Sequence, residues 1–82
     1  MTIDVKFNSN ELADKLRSGT YELPEDATVS MLLETAQNEV KYKMSQELTE
    51  NLVFLFNNRH AVPETVLSDN GKLRVLHKVL GG

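Results

Sequence analysis

One stretch of this chain limits its fold more than any other. From Thr28 to Lys41 the apolar residues Val29, Leu32, Leu33, Ala36 and Val40 recur at helical spacing, while Glu34, Gln37, Asn38 and Lys41 take the opposite face. Thr28 stands where an N-cap belongs, and Glu25 and Asp26 just ahead of it suit the positive end of the helix dipole. No second stripe of that length occurs in the 82 residues. Every other apolar segment must therefore be buried as strand or as connection around a single main helix. A chain of this size forms one domain with a modest core, burying about 60–65 % of its unfolded surface. Little room is left for an internal catalytic pocket.

The remaining segments read mostly as strands. Ile3, Val5 and Phe7 alternate with Thr2, Asp4, Lys6 and Asn8, the period-two pattern of a half-buried strand. "ELADKLRSG" has the length of one or two helical turns before Gly19 stops it, and "TYEL" resumes as a short strand that Pro24 ends. "YKMSQELTEN" loses the helical stripe and reads as a connection with room for one helical turn. "LVFLF" is apolar on both faces, as a central or doubly covered strand would be. "NNRHAV" reads as a turn into a short strand that Pro63 interrupts, "LSDNG" as a tight turn, and Lys72 to Val79 as the last strand. The expected fold is α+β: a mixed sheet of four to five strands covered on one face by one main helix. Residues 1–80 form the domain and 81–82 a flexible Gly-Gly tail.

Composition excludes several function classes. Acids outnumber bases twelve to nine, giving a net charge of −3, whereas phosphate binding needs clustered Lys and Arg; nucleic acid is not an expected partner. No apolar run approaches the roughly 20 residues that span a bilayer, and "MTIDVKF" lacks the basic-then-apolar pattern of a signal peptide, so the expectation is a cytoplasmic protein without a membrane partner. Cysteine is absent, which removes disulfides, thiolate nucleophiles and thiolate metal ligands together. His60 has Glu64 four residues on, but Pro63 breaks the helix that such a ligand spacing would need, and no metal site is expected. His77 falls in phase with Leu73 and Val75, which points to packing at the sheet's end. No nucleophile elbow links serine, histidine and aspartate, so no catalytic residue is expected. No Gly-rich loop followed by Lys and Ser or Thr is present to cradle phosphates, and no bound cofactor is expected.

The element order, with "YELPEDATVSMLLE", "LVFLFNNRHAV" and "LSDNGKLRVLHKVLGG", resembles the ubiquitin-like β-grasp proteins. Within them the chain is most similar to the sulfur carriers: the small subunit of molybdopterin synthase and the thiamin-pathway carrier. The resemblance covers nearly the whole chain. Its most specific part is the C-terminal third, where Asn57 and Asn58, the turn with Leu67, Asp69 and Gly71, and a final apolar strand lead to Gly81 and Gly82. "ADKLRSG" and the length favour the molybdopterin-synthase subunit. Lys72 replaces an acidic residue often found after the turn glycine, and His77 and Lys78 replace a proline-rich approach to the tail. The last strand also reads about as close to the ending of ubiquitin itself.

This resemblance implies a carrier whose Gly82 carboxylate is adenylated by a ubiquitin-activating-type enzyme using ATP. The adenylate becomes a thiocarboxylate, and its sulfur passes to an accepting enzyme such as the molybdopterin-synthase large subunit. Chemistry agrees with such a role. A carboxylate is a poor electrophile until adenylation supplies a leaving group, and residues without a β-carbon at Gly81 and Gly82 let a main-chain terminus slide through a narrow channel to bound nucleotide. A helix on one face leaves the other sheet face bare, carrying either Val53 and Leu55 or Phe54 and Phe56, with Leu76 and Leu80 alongside. That face is either covered by the Lys41 to Asn51 connection or used for docking, for which Phe54, Phe56, Arg74, Leu76 and Leu80 are the candidates. Lys72, Arg74 and Lys78 form a basic edge, solvated or turned toward an acidic partner. Two other readings remain: a modifier conjugated through Gly82 to lysine, and a β-grasp interaction module with an inert tail.

Overall fold

The computed structural model describes residues 1–78. Strand β1, Thr2–Phe7, keeps the alternation read from the sequence: Ile3, Val5 and Phe7 are buried, and Asp4 and Lys6 are exposed. Helix α1, Asn10–Lys15, buries Leu12, and Leu16 follows it into the core. Strand β2, Gly19–Glu22, returns antiparallel to β1 with Ile3 opposite Tyr21. Gly19 begins it at φ +135°, a backbone conformation that side chains rarely adopt.

Helix α2, Val29–Val40, is the predicted main helix, and the Thr28 hydroxyl accepts from the Met31 amide at 3.2 Å. Its neighbouring amides, Val29 and Ser30, donate to the Thr65 and Pro63 carbonyls at 3.0 and 2.9 Å. The 62–67 loop thus satisfies donors that a helix cannot satisfy for itself. Val29, Leu32, Leu33 and Ala36 are buried, whereas Val40 is exposed at the helix end, next to Lys41 in the left-handed conformation (φ 55°). The connection that follows holds a real helix, α3, Gln46–Glu50, capped by Ser45 through the Leu48 amide at 3.1 Å.

Strand β3, Leu52–Phe56, turns at Asn57 and Asn58 into the short β4, Arg59–Ala61, and β5, Gly71–His77, closes the sheet. The strand order is β2-β1-β5-β3-β4; β5 runs parallel to β1 and antiparallel to β3. The last strand is thus the central one. It enters at Gly71, one residue before the expected Lys72, because Gly71 pairs with Ile3. Val79, the expected end of the strand, and the 81–82 tail lie outside the described residues.

All three helices contribute to one core on one side of the sheet. Met44 and Leu48, from the connection after α2, join Leu32, Leu33, Phe54 and Val75 in that cluster. The Lys41 to Asn51 connection therefore covers the same face as α2, and the alternative in which it covers the other face is excluded. Among the described residues the fold is a five-stranded mixed sheet with helices on one side, as the sequence predicts, although two short helices assist the main one.

Candidate functional site

Register decides which residues share the face away from the helices. Phe54 lies opposite Val75 and both are buried, so the next pair along, Val53 and Leu76, points the other way. Leu55 sits opposite Arg74 on one side and His60 on the other, and Arg74 is in turn the neighbour of Lys6. The result is a short apolar patch of half-buried Val53, Leu55 and Leu76 bordered by exposed Lys6, Arg74 and His60. Lys72 lies one pair further along, beside Asp4. Lys6 and Arg74 are like charges in adjacent register, an arrangement that an anionic neighbour would relieve.

The predicted docking residues divide accordingly. Arg74 and Leu76 stand on the open face. Phe54 is 3 % exposed in the core, and Phe56 packs against the core from the same side of β3. Neither stands on the open face; Val53 and Leu55, the other pair weighed for it, do. Leu80, Gly81 and Gly82 lie outside the described residues. Lys6 joins this face as well; its exposed phase in β1 is visible in the sequence, but its place beside Arg74 comes only from the parallel pairing of β1 and β5.

His77 does not pack as its phase suggested. It is exposed at the end of β5, beside a shallow groove of about 550 Å³ lined by Glu11, Ser45, Glu47, Leu48, Asn51, His77 and Lys78. The Lys78 amide donates to the Asn51 carbonyl at 2.6 Å, tying the chain after β5 to the end of α3. Among the described residues no three His, Asp or Glu side chains gather into a group that could hold a metal ion.

Electrostatic perturbation is concentrated elsewhere. The Arg17 guanidinium binds both Glu39 carboxylate oxygens, at 2.5 and 3.3 Å, and stacks 4.2 Å from the centre of the Tyr21 ring. The hydrogen bond from Arg17 holds the Glu39 carboxyl below the usual carboxylate value, and the same bond raises the Arg17 pKa. Burial pushes the Tyr21 phenol up, and its hydroxyl donates to the Arg17 carbonyl at 2.6 Å. This trio links the α1–β2 corner to the end of α2 and is structural.

No protein-family model matches the sequence, and no curated protein does. Solved structures do match. SAMP1, a small archaeal modifier protein of Haloferax volcanii, superposes with a TM-score of 0.73 at 18 % identity over 100 % of both chains. A putative molybdopterin converting factor subunit 1 from Pyrococcus furiosus gives 0.72 at 19 % identity, over 96 % of this chain and 99 % of that one. A chain from the complex of subunits 1 and 2 of the molybdopterin-converting factor from Helicobacter pylori 26695 gives 0.59 at 17 % identity over 100 % of both. Together with the strand order, parallel β1–β5 pairing and one-sided helical layer, these likenesses establish the fold of this chain as ubiquitin-like β-grasp.

Proposed function

We propose that this chain is a sulfur carrier whose Gly82 carboxylate is activated by a partner enzyme and converted to a thiocarboxylate that supplies sulfur for molybdopterin. The observation that carries this reading is the full-length likeness to converting-factor subunits, one of them from a complex of the two subunits. In the activation step a Gly82 carboxylate oxygen attacks the α-phosphorus of ATP and pyrophosphate leaves. Hydrosulfide from the sulfur donor then attacks the acyl carbon and AMP leaves, which gives the thiocarboxylate with no change of oxidation state. ATP and the adenylating site belong to the partner, and this chain serves as co-substrate rather than enzyme. Gly81 is the spacer that passes through the partner's channel. Val53, Leu55 and Leu76, with Leu80 following, dock the body of the carrier, while Arg74 and Lys6 select a surface edged with carboxylates. The second enzyme is a sulfur acceptor of the molybdopterin-synthase large-subunit type.

The likeness to SAMP1 favours a second reading, a modifier that uses the same adenylate but ends in an isopeptide bond to lysine. Intact mass distinguishes the two after incubation with a candidate adenylating enzyme, ATP and a sulfur donor. Replacement of one oxygen by sulfur at Gly82 is expected. Attachment of Gly82 to a lysine of another protein would establish the modifier, and an unmodified chain beside a competent enzyme would refute both.

A further inference from the structure

We infer that the Asn70–Gly71 peptide is a deamidation site that the fold holds closed and that reacts when the start of β5 leaves the sheet. In an Asn-Gly pair the glycine nitrogen attacks the asparagine side-chain amide carbon. A nitrogen–carbon bond forms, ammonia leaves, and the resulting succinimide is opened by water at either carbonyl to give aspartate or isoaspartate. Water is the only co-reactant and nothing is oxidised or reduced. Glycine favours the reaction because it has no β-carbon to obstruct ring closure. Of the asparagines in the chain, Asn70 alone is followed by glycine.

Asn70 is exposed and left-handed, with φ 64°, in the turn that feeds β5. Solvent reaches its side chain, but the attacking atom is engaged. The Gly71 nitrogen donates to the Ser68 carbonyl at 3.1 Å, and the Asn70 nitrogen donates to the Thr2 carbonyl at 2.8 Å. Asp69 accepts from the Thr2 amide at 2.7 Å, which ties the turn to β1 from the other direction. Gly71 itself is buried, paired with Ile3, and lies so close beneath the Phe56 ring that an added β-carbon would overlap it. Ring closure requires the Gly71 nitrogen to release Ser68 and rotate toward the Asn70 side chain. Neither movement is open while β5 is seated beneath Phe56.

The product reinforces the opening that made it. Isoaspartate adds one methylene to the main chain between Asn70 and Gly71, at the point where β5 enters between β1 and β3. Leu73 and Val75, both wholly buried, follow within four residues and can no longer regain their register without strain. A molecule that has reacted closes less well than one that has not.

The test ages the full-length chain at mildly alkaline pH, folded in buffer and unfolded in urea, and follows residues 70–71 by peptide mass mapping. Asn70 should convert to aspartate and isoaspartate in the unfolded chain and about tenfold or more slowly in the folded one, since exchange-type chemistry follows local opening. Asn70→Gln should abolish the change at this position. Isoaspartate-containing chain, separated and refolded, should melt at a lower temperature than the parent. Equal rates in the folded and unfolded chains, or no conversion of Asn70 in either, would overturn the inference. An unchanged melting temperature of the isoaspartate form would overturn the claim that the product resists closure.

Discussion

Gly71 occupies the last place of an Asp-Asn-Gly turn, but its identity is required by a neighbour as much as by the turn. A β-carbon there would run into the Phe56 ring and lie 2.9 Å from the Ser68 carbonyl oxygen. Gly71→Ala should therefore lower stability by about 1–3 kcal/mol through overpacking, read from urea unfolding midpoints. In a double mutant Phe56→Leu should restore part of the loss, since the two residues touch and their effects will not add. The β3–β4 turn separates two similar residues by their hydrogen bonds. Asn57 and Asn58 both have positive φ, 52° and 67°, as a two-residue hairpin turn demands, but only Asn57 has a side chain that accepts from the Lys72 amide, at 2.9 Å. Asn57→Ala should cost about 1–2 kcal/mol, whereas Asn58→Ala, which meets the same positive φ but loses no such bond, should cost about 1 kcal/mol less. Equal losses at the two positions would show that φ alone governs the turn.

Helix α2 owes its start to both near and distant partners. Thr28 was legible as a cap because of its residue type and place, and Thr28→Ala should cost about 1 kcal/mol in thermal or urea unfolding. The Thr65 and Pro63 carbonyls that serve Val29 and Ser30 could not be read, since nothing local links position 65 to position 29. At its other end the helix is joined to the α1–β2 corner by Glu39 and Arg17. Glu39 has its folded pKa below the ordinary 4.5, so its contribution to stability is present above that value and disappears as pH falls through the lower, folded one. The melting difference between the parent and Glu39→Gln should thus be seen at neutral pH and shrink in acid below about 4.5. The effect is small because the pair is on the surface and solvent screens it. A difference that grew in acid would contradict the assignment.

Across the whole molecule, the one-sided helical layer leaves a sheet face whose charge and hydrophobicity suit a partner. Arg74→Glu should keep the fold and slow association with the adenylating enzyme proposed as partner at low salt, with the difference fading as ionic strength rises, because the Debye length is about 10 Å at 0.1 M. Binding kinetics at two salt concentrations read this directly, and a salt-independent loss would place Arg74 in a buried contact instead. The elements themselves could largely be read from the chain, since alternation in β1, the stripe in α2 and the Asn and Gly turns each depend on residues within a few positions of one another. Residue chemistry by itself also determined the absence of cysteine, the main helix with its cap, and the presence of two candidate apolar pairs in β3. The choice between those pairs required the tertiary structure. Phe54 goes inward because β3 pairs with β5 in the register that sets it opposite Val75, and that register is an interaction between segments about twenty residues apart. For the same reason Lys6 meets Arg74 and Phe56 covers Gly71 only once β5 has entered the middle of the sheet, a placement carried by long-range pairing that no local pattern contains.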